Sequence, residues 1–216
     1  MMVKAKLSQA EFDKIVFVER MDAKPTVCTY GVNDIAFQVS GVAGGCWQYR
    51  AWKHMLQRCF DARRKVRNPT YKDVTCCNEW LSFANFLEWV NKEVGYSGKP
   101  EGMDLDKDIV IRGNKVYSPE ACSFVPQAVN KLLHRRSKPK SGLPTGVYYH
   151  VGTGKFASHL CCNSRLTYVG LYETPEEASL SYMAAKEAQI KTVALQHKAV
   201  LKPAVFESLM NWSIEP

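Results

Sequence analysis

Residues 146–178 read GVYYHVGTGKFASHLCCNSRLTYVGLYETPEEA, and this stretch decides the C-terminal fold. Three runs rich in aromatic and β-branched residues, 147–151, 155–162 and 165–171, are separated by Gly-Thr-Gly and Asn-Ser turns, which predicts three short antiparallel strands. Thr174 is placed to cap a helix that has Pro175 at its first position and Glu176 and Glu177 in its first turn. Ala178, Tyr182, Ala185 and Ile190 would form the apolar face of that helix, and a further helix is expected from Pro203 to about Trp212. Strand alternation puts Phe156, Leu160, Val169 and Leu171 under the helix. It leaves Tyr148, His150, His159 and Tyr168 on the open side, with Lys155 and Arg165 at the rim. Polar aromatic and imidazole groups on an open sheet face can meet base edges in a major groove, while rim cations hold phosphates.

The pieces Gly146-Val147, Gly154-Lys155-Phe156-Ala157, Tyr168-Val169-Gly170-Leu171-Tyr172 and Thr174-Pro175-Glu176-Glu177-Ala178 resemble the AP2 DNA-binding domain. The resemblance implies a three-stranded sheet backed by one helix, docked on double-stranded DNA. The open face has few arginines, unlike plant members of that family, which leaves the target sequence open.

Working towards the N-terminus, residues 135–145 (RRSKPKSGLPT) lack apolar periodicity and read as a basic linker. Arg135, Arg136, Lys138 and Lys140 make it a candidate phosphate grip. Before it, residues 103–136 predict a strand (103–111), a Gly113-Asn114 turn, a strand (122–125) and a helix opened by Pro126. A helix over about 48–60 would bury Trp52, Met55, Leu56 and Cys59 and present Arg50, Lys53, His54, Arg58, Arg63, Arg64, Lys65 and Arg67 on or beyond its polar side. A second helix over about 78–94 would bury Trp80, Leu81, Phe83, Phe86, Leu87 and Val90. Ser8 opens a capping box and a short helix over 8–20, and 21–45 is strand-like. The fold class expected is α+β, with an N-terminal extension (1–45), a middle unit with its preceding helices (46–134), the linker (135–145) and the C-terminal module (146–216).

In the middle unit Asp106, Gly113-Asn114, Ser118-Pro119-Glu120 and Asn130 resemble the HNH, or ββα-metal, nuclease motif. Together with Tyr49-Arg50-x-Trp52, Trp80-Leu81 and Leu105-Asp106-Lys107-Asp108-Ile109, the run is similar to phage-type HNH–AP2 homing endonucleases. That resemblance implies one Mg²⁺ held by Asp106 and Asn130, with Asp108 a further candidate ligand and His134 one turn after Asn130. The metal would stabilise charge developing on a scissile phosphate. The general base of such a site is a histidine beside the strand aspartate, and this chain has Lys107 there. A lysine is protonated at neutral pH and makes a poor base, so Lys107 is a candidate phosphate binder, and His134 or His54 is left to swing in as the base. Asp104, Asp106 and Asp108 alternate and are expected on one side of one strand.

The bulk composition agrees with a polyanion partner. Formal net charge is +8, and the excess is clustered: residues 131–140 hold five Lys/Arg and no acid, and residues 50–72 hold eight against Asp61 alone. Clusters of this kind form a phosphate footprint. The eight cysteines include no C-x-x-C pair, and the two adjacent pairs suit neither zinc nor a shared disulfide, which points to small buried thiols in a reducing cytosol. No run of about 18 apolar residues is present, so no membrane span is expected, and Met1–Lys14 lacks a signal-peptide core. The expectation is a cytoplasmic, nucleoid-associated protein on double-stranded DNA. It acts either as a transcriptional repressor with a degenerate nuclease centre or as an active Mg²⁺-dependent endonuclease. A palindromic target would imply a homodimer, although no dimer seam is visible.

Overall fold

The computed structural model describes residues 25–35, 46–94, 102–133, 141–162 and 165–215. The helix expected over 8–20, His134, and the linker residues Arg135, Arg136, Lys138 and Lys140 lie outside them. The chain is mixed α+β and divides into two compact units, residues 1–125 and 126–216. No helix among the described residues is long and apolar enough to cross a membrane.

The first unit is organised by helix α1, Trp47–Phe60. It begins where the Cys46 sulfur accepts the Tyr49 N–H at 3.4 Å. Its apolar stripe is buried as the spacing requires: Trp52, Met55 and Leu56 are fully enclosed and Cys59 nearly so. Asp61 ends α1 and at once caps the short helix α2, Ala62–Arg67, accepting the Arg64 N–H at 3.1 Å. Strands β1 (Pro25–Val27) and β2 (Gly31–Val32) pair antiparallel over this helix. A side chain at Gly31 would overlap Leu56 Cδ1 and press on the Trp52 ring, so only glycine lets β2 approach α1 so closely.

The helix expected over 78–94 is two elements. A 3-10 turn, Asn78–Leu81, gives way at extended Ser82 to helix α3, Phe83–Val94. Asp34 causes the break by competing for the backbone: its carboxylate accepts Ser82 Oγ–H at 2.6 Å and the Ala84 N–H at 2.9 Å. Trp52 Nε1 donates to the Trp80 carbonyl at 2.7 Å and ties α1 to that turn. Phe83, Phe86, Leu87 and Val90 of α3 complete the core. Strand β3 (Thr75–Cys76) runs parallel to β5 (Val116–Tyr117), and β4 (Met103–Asp106) pairs with β6 (Ser123–Pro126).

In the second unit, helix α4 (Gln127–Leu133) packs on helix α5 (Pro175–Gln196). Strands β7 (Val147–His150), β8 (Lys155–Cys162) and β9 (Arg165–Tyr172) form one antiparallel sheet in the order β7-β8-β9. Helix α5 covers one side of it, and helix α6 (Pro203–Met210) packs on α5 through buried Val205 and Leu209. The capping box at Thr174 forms in full, with Thr174 Oγ1 accepting the Glu177 N–H and the Glu177 carboxylate accepting the Thr174 N–H.

One expectation about this sheet is corrected. Ser158 pairs with Gly170 but His159 pairs with Tyr168, so Val169 is an extra residue in β9. Such a bulge inverts the alternation beyond it. Leu171 therefore lies opposite Ala157, on the side of Tyr148 and His159, and not under the helix. Tyr172 takes the helix side in its place, and its hydroxyl donates to Ser181 Oγ of α5 at 2.5 Å.

Candidate nucleic-acid interface

Cross-strand register builds the open face of the sheet. Tyr148 lies opposite Ala157 and His159 opposite Tyr168, so these side chains share one side of the pleat. The His159 ring stands edge-on to Tyr148, with centroids 5.3 Å apart, and to Tyr168 at 5.6 Å. The three rings form a row across all three strands. Tyr148 is 48% exposed and Tyr168 59%, which leaves most of each ring end free for a ligand. Leu166 extends the row beside Cys161. The placement expected for Tyr148, His159 and Tyr168 on one open side is the placement found.

His159 Nδ1 is enclosed and has no hydrogen-bond partner among the described residues. An enclosed acceptor without a donor is tolerated more often than an enclosed N–H without an acceptor. Hydrogen bonding thus assigns the lone pair to Nδ1 and the proton of the neutral ring to Nε2. His150, exposed at the end of β7, uses its Nδ1 on Thr153 Oγ1 at 2.9 Å. Lys155 is ion-paired with Glu173, a partner that the sequence did not reveal. A phosphate at Lys155 must displace or share that carboxylate. Arg165 is exposed at the first position of β9.

The first unit carries the second basic surface. Arg63 and Arg67 of α2 are exposed, whereas Arg64 is half-buried and donates from Nη1 to Gln57 Oε1 at 3.1 Å. Gln57, Asp61, Arg64, Arg67 and Asn68 line an open cleft of about 270 Å³. Lys65 turns inward: its ammonium donates to the Lys72 carbonyl at 3.0 Å and the Val74 carbonyl at 3.3 Å. Arg58 also points inward, to the Tyr117 hydroxyl at 3.1 Å. Partial burial, then the charges of Arg58, Arg64, Lys53 and Arg50, hold His54 below the ordinary imidazole value.

Around Asp106 the structure departs from the strand expected over 103–111. Strand β4 ends at Asp106, because Asp106 Oδ1 accepts the N–H groups of Asp108 and Ile109, each at 2.9 Å, and turns the chain. Asp108 thus lies beyond the strand and not in a row with Asp104 and Asp106. Lys107 is buried at 7% exposure. Its ammonium pairs with Asp108 Oδ2 at 3.0 Å, donates to the Asn114 carbonyl at 3.0 Å and lies over the Tyr117 ring at 5.9 Å. The Asn114 carboxamide closes the same turn, donating to the carbonyls of Lys107 at 2.7 Å and Val116 at 2.6 Å. Burial, then the Asp108 charge, raises the Asp106 pKa above the usual carboxylate value.

This donor set does not fit a divalent ion at Asp106 and Asp108. One Asp106 oxygen is committed to two amides, and the Asp108 carboxylate is neutralised by an ammonium that would repel the cation. Among the described residues no three His, Cys, Asp or Glu side chains group as a metal site. Asn130 lies on α4 in the second unit. No family model, no curated protein and no solved structure matches this chain.

Proposed function

We propose that this chain is a sequence-specific double-stranded-DNA-binding protein, built like the HNH–AP2 homing endonucleases and acting as a transcriptional repressor whose nuclease centre does not cut. The row of Tyr148, His159 and Tyr168 across the sheet, opposite the helix-covered side, carries this reading. A sheet that is backed by a helix on one side and shows polar rings on the other is shaped for a major groove. In this reading residues 146–216 are the AP2-like reader. The linker cations Arg135, Arg136, Lys138 and Lys140, with Arg63 and Arg64, grip flanking phosphates, which adds affinity without sequence preference. Residues 46–134, whose last helix α4 belongs to the second compact unit, are read as the HNH-like part, in which Lys107 serves as a fixed internal cation instead of a base. Occupying a promoter excludes polymerase, which is the repressor function, and a DNA target places the protein in the cytoplasm with the nucleoid.

The test is selection from a randomised duplex library with Mg²⁺ present, sequencing both the retained duplexes and any new strand ends. A single enriched motif with intact strands is the expected result, and a palindromic motif would add a homodimer to the reading. Retention without any motif would refute sequence-specific recognition. Strand ends at a fixed offset from the motif would make the chain an active Mg²⁺-dependent endonuclease and refute the non-cutting centre.

A further inference from the structure

The bulge that turns Tyr172 towards the helix turns a leucine the other way. Leu171 pairs with Ala157 and Leu166 with Cys161, and both partners alternate in step with His159 along β8. The two leucines therefore share the side of Tyr148, His159 and Tyr168. They lie before and after Tyr168 in β9, with Leu166 57% and Leu171 36% exposed. An aliphatic side chain offers no hydrogen bond, so these two can contribute to recognition only by covering apolar surface on a ligand.

Charge narrows the ligand. Strands β7, β8 and β9 contain no acidic residue, and Lys155 lies on the same side, opposite His150. Glu173, just beyond β9, is paired with that lysine. A polyanion meets no unpaired carboxylate from these strands. The one arginine in the three strands is Arg165, at the first position of β9, so the guanidinium forks that favour guanine are absent from the middle of the face. The apolar group that a major groove presents is the methyl of thymine, which no other DNA base carries.

We propose that Leu166 and Leu171 are specificity-determining residues that read thymine methyl groups, so that the DNA target carries thymines among the base pairs under β9. This inference rests on the reading of the sheet as the DNA-binding face and adds the bases that face selects. Each leucine covers one methyl, and the water released from both apolar surfaces supplies the preference. The polar rings between the leucines remain free to hydrogen-bond base edges.

Deoxyuridine pairs as thymidine does and lacks only the methyl, so it isolates this contact. The full chain first selects a motif from a randomised duplex library. The enriched duplex is then made with deoxyuridine replacing thymidine at one position at a time, and competition titrations give the affinity ratios. The expected result is a loss of about fourfold at each contacted thymine, the worth of one buried methyl. Leu166→Ala and Leu171→Ala should each abolish the preference for thymine over uridine at one position and keep it at the other. A motif without thymine, or one bound equally well with uridine at every thymine, would overturn the methyl contacts and leave the sheet as the DNA-binding face. A methyl effect that persists in both variants, or variants that weaken thymine and uridine duplexes alike, would overturn the assignment to these leucines. Selection of no motif at all would refute the DNA-reading face itself, and this inference with it.

Discussion

His159 stands between two tyrosine rings with Nδ1 closed off, which leaves Nε2–H as the donor of the neutral ring. A donor in a major groove selects purine N7, guanine O6 or thymine O4. His159→Ala should lower discrimination at one base pair by about 1–3 kcal/mol and leave binding to unrelated duplexes nearly unchanged. Competition titrations with singly substituted sites measure this, and unchanged discrimination would remove His159 from the reading face. Asp106 makes a different prediction. Its folded pKa is raised, so the folded state holds the proton more tightly than the unfolded chain, and this group's effect on stability becomes less favourable as pH rises through about 4 and beyond. Asn at this position keeps an oxygen for the Asp108 and Ile109 amides and carries no charge. Asp106→Asn should therefore raise the urea midpoint at neutral pH and flatten its fall above about pH 4. A lower midpoint in Asp106→Asn at pH 7 would show that the charge is stabilised in a way its neighbours do not explain.

Among the elements, β9 separates what local pattern encodes from what tertiary contact decides. Tyr172 reaches Ser181 only because the bulge at Val169 turns it towards α5. Tyr172→Phe keeps the ring and removes the hydroxyl, and should cost about 1 kcal/mol, read as a lower thermal midpoint. An unaltered midpoint would mean that the hydroxyl contributes nothing to docking the helix. The bulge was not legible, because Arg165–Leu171 alternates well enough to pass for a regular strand and the extra residue shows only in the pairing. Helices α1 and α5 were legible, since a buried stripe at helical spacing and the Thr174–Glu177 box are local signals. The strand expected over 103–111 failed for a local reason of another kind. Alternating Asp104, Asp106 and Asp108 mimic a strand, but Asp106 captures backbone amides and ends it. The candidate face survived this error because Tyr168 precedes Val169 in β9 and the β7–β8 pairing that aligns Tyr148 with His159 has no bulge. The Lys155–Glu173 pair joins residues far apart in the sequence, so neither spacing nor periodicity marks it.

At the scale of the whole molecule, the +8 charge acts through where it is free and where it is already used. Arg63 and Arg67 are exposed on α2, whereas Lys65 is engaged by two backbone carbonyls. If Arg63 or Arg67 meets a phosphate, replacing it with Gln should reduce the slope of log Kobs against log salt by about 0.9 for each phosphate no longer neutralised. Lys65→Gln should instead lower the unfolding midpoint, because it releases the chain between α2 and β3. Anisotropy titrations over a salt series, with urea melts of the same variants, separate the two effects. His54, on the exposed side of α1, reports the same field. Burial and then Arg58, Arg64, Lys53 and Arg50 depress its pKa from 6.5, so the unfolded chain binds the proton more tightly and stability falls as pH drops through about 6.5. Phosphates laid on this surface cancel the repulsion and raise the pKa again. DNA binding should then take up a proton and tighten as pH falls below about 6.5, more than it does for His54→Gln. The His54 ring resonance should titrate at higher pH in the complex than in the free chain. A ring that titrates identically in both would place the DNA elsewhere and leave the α1–α2 cations a solvated surface.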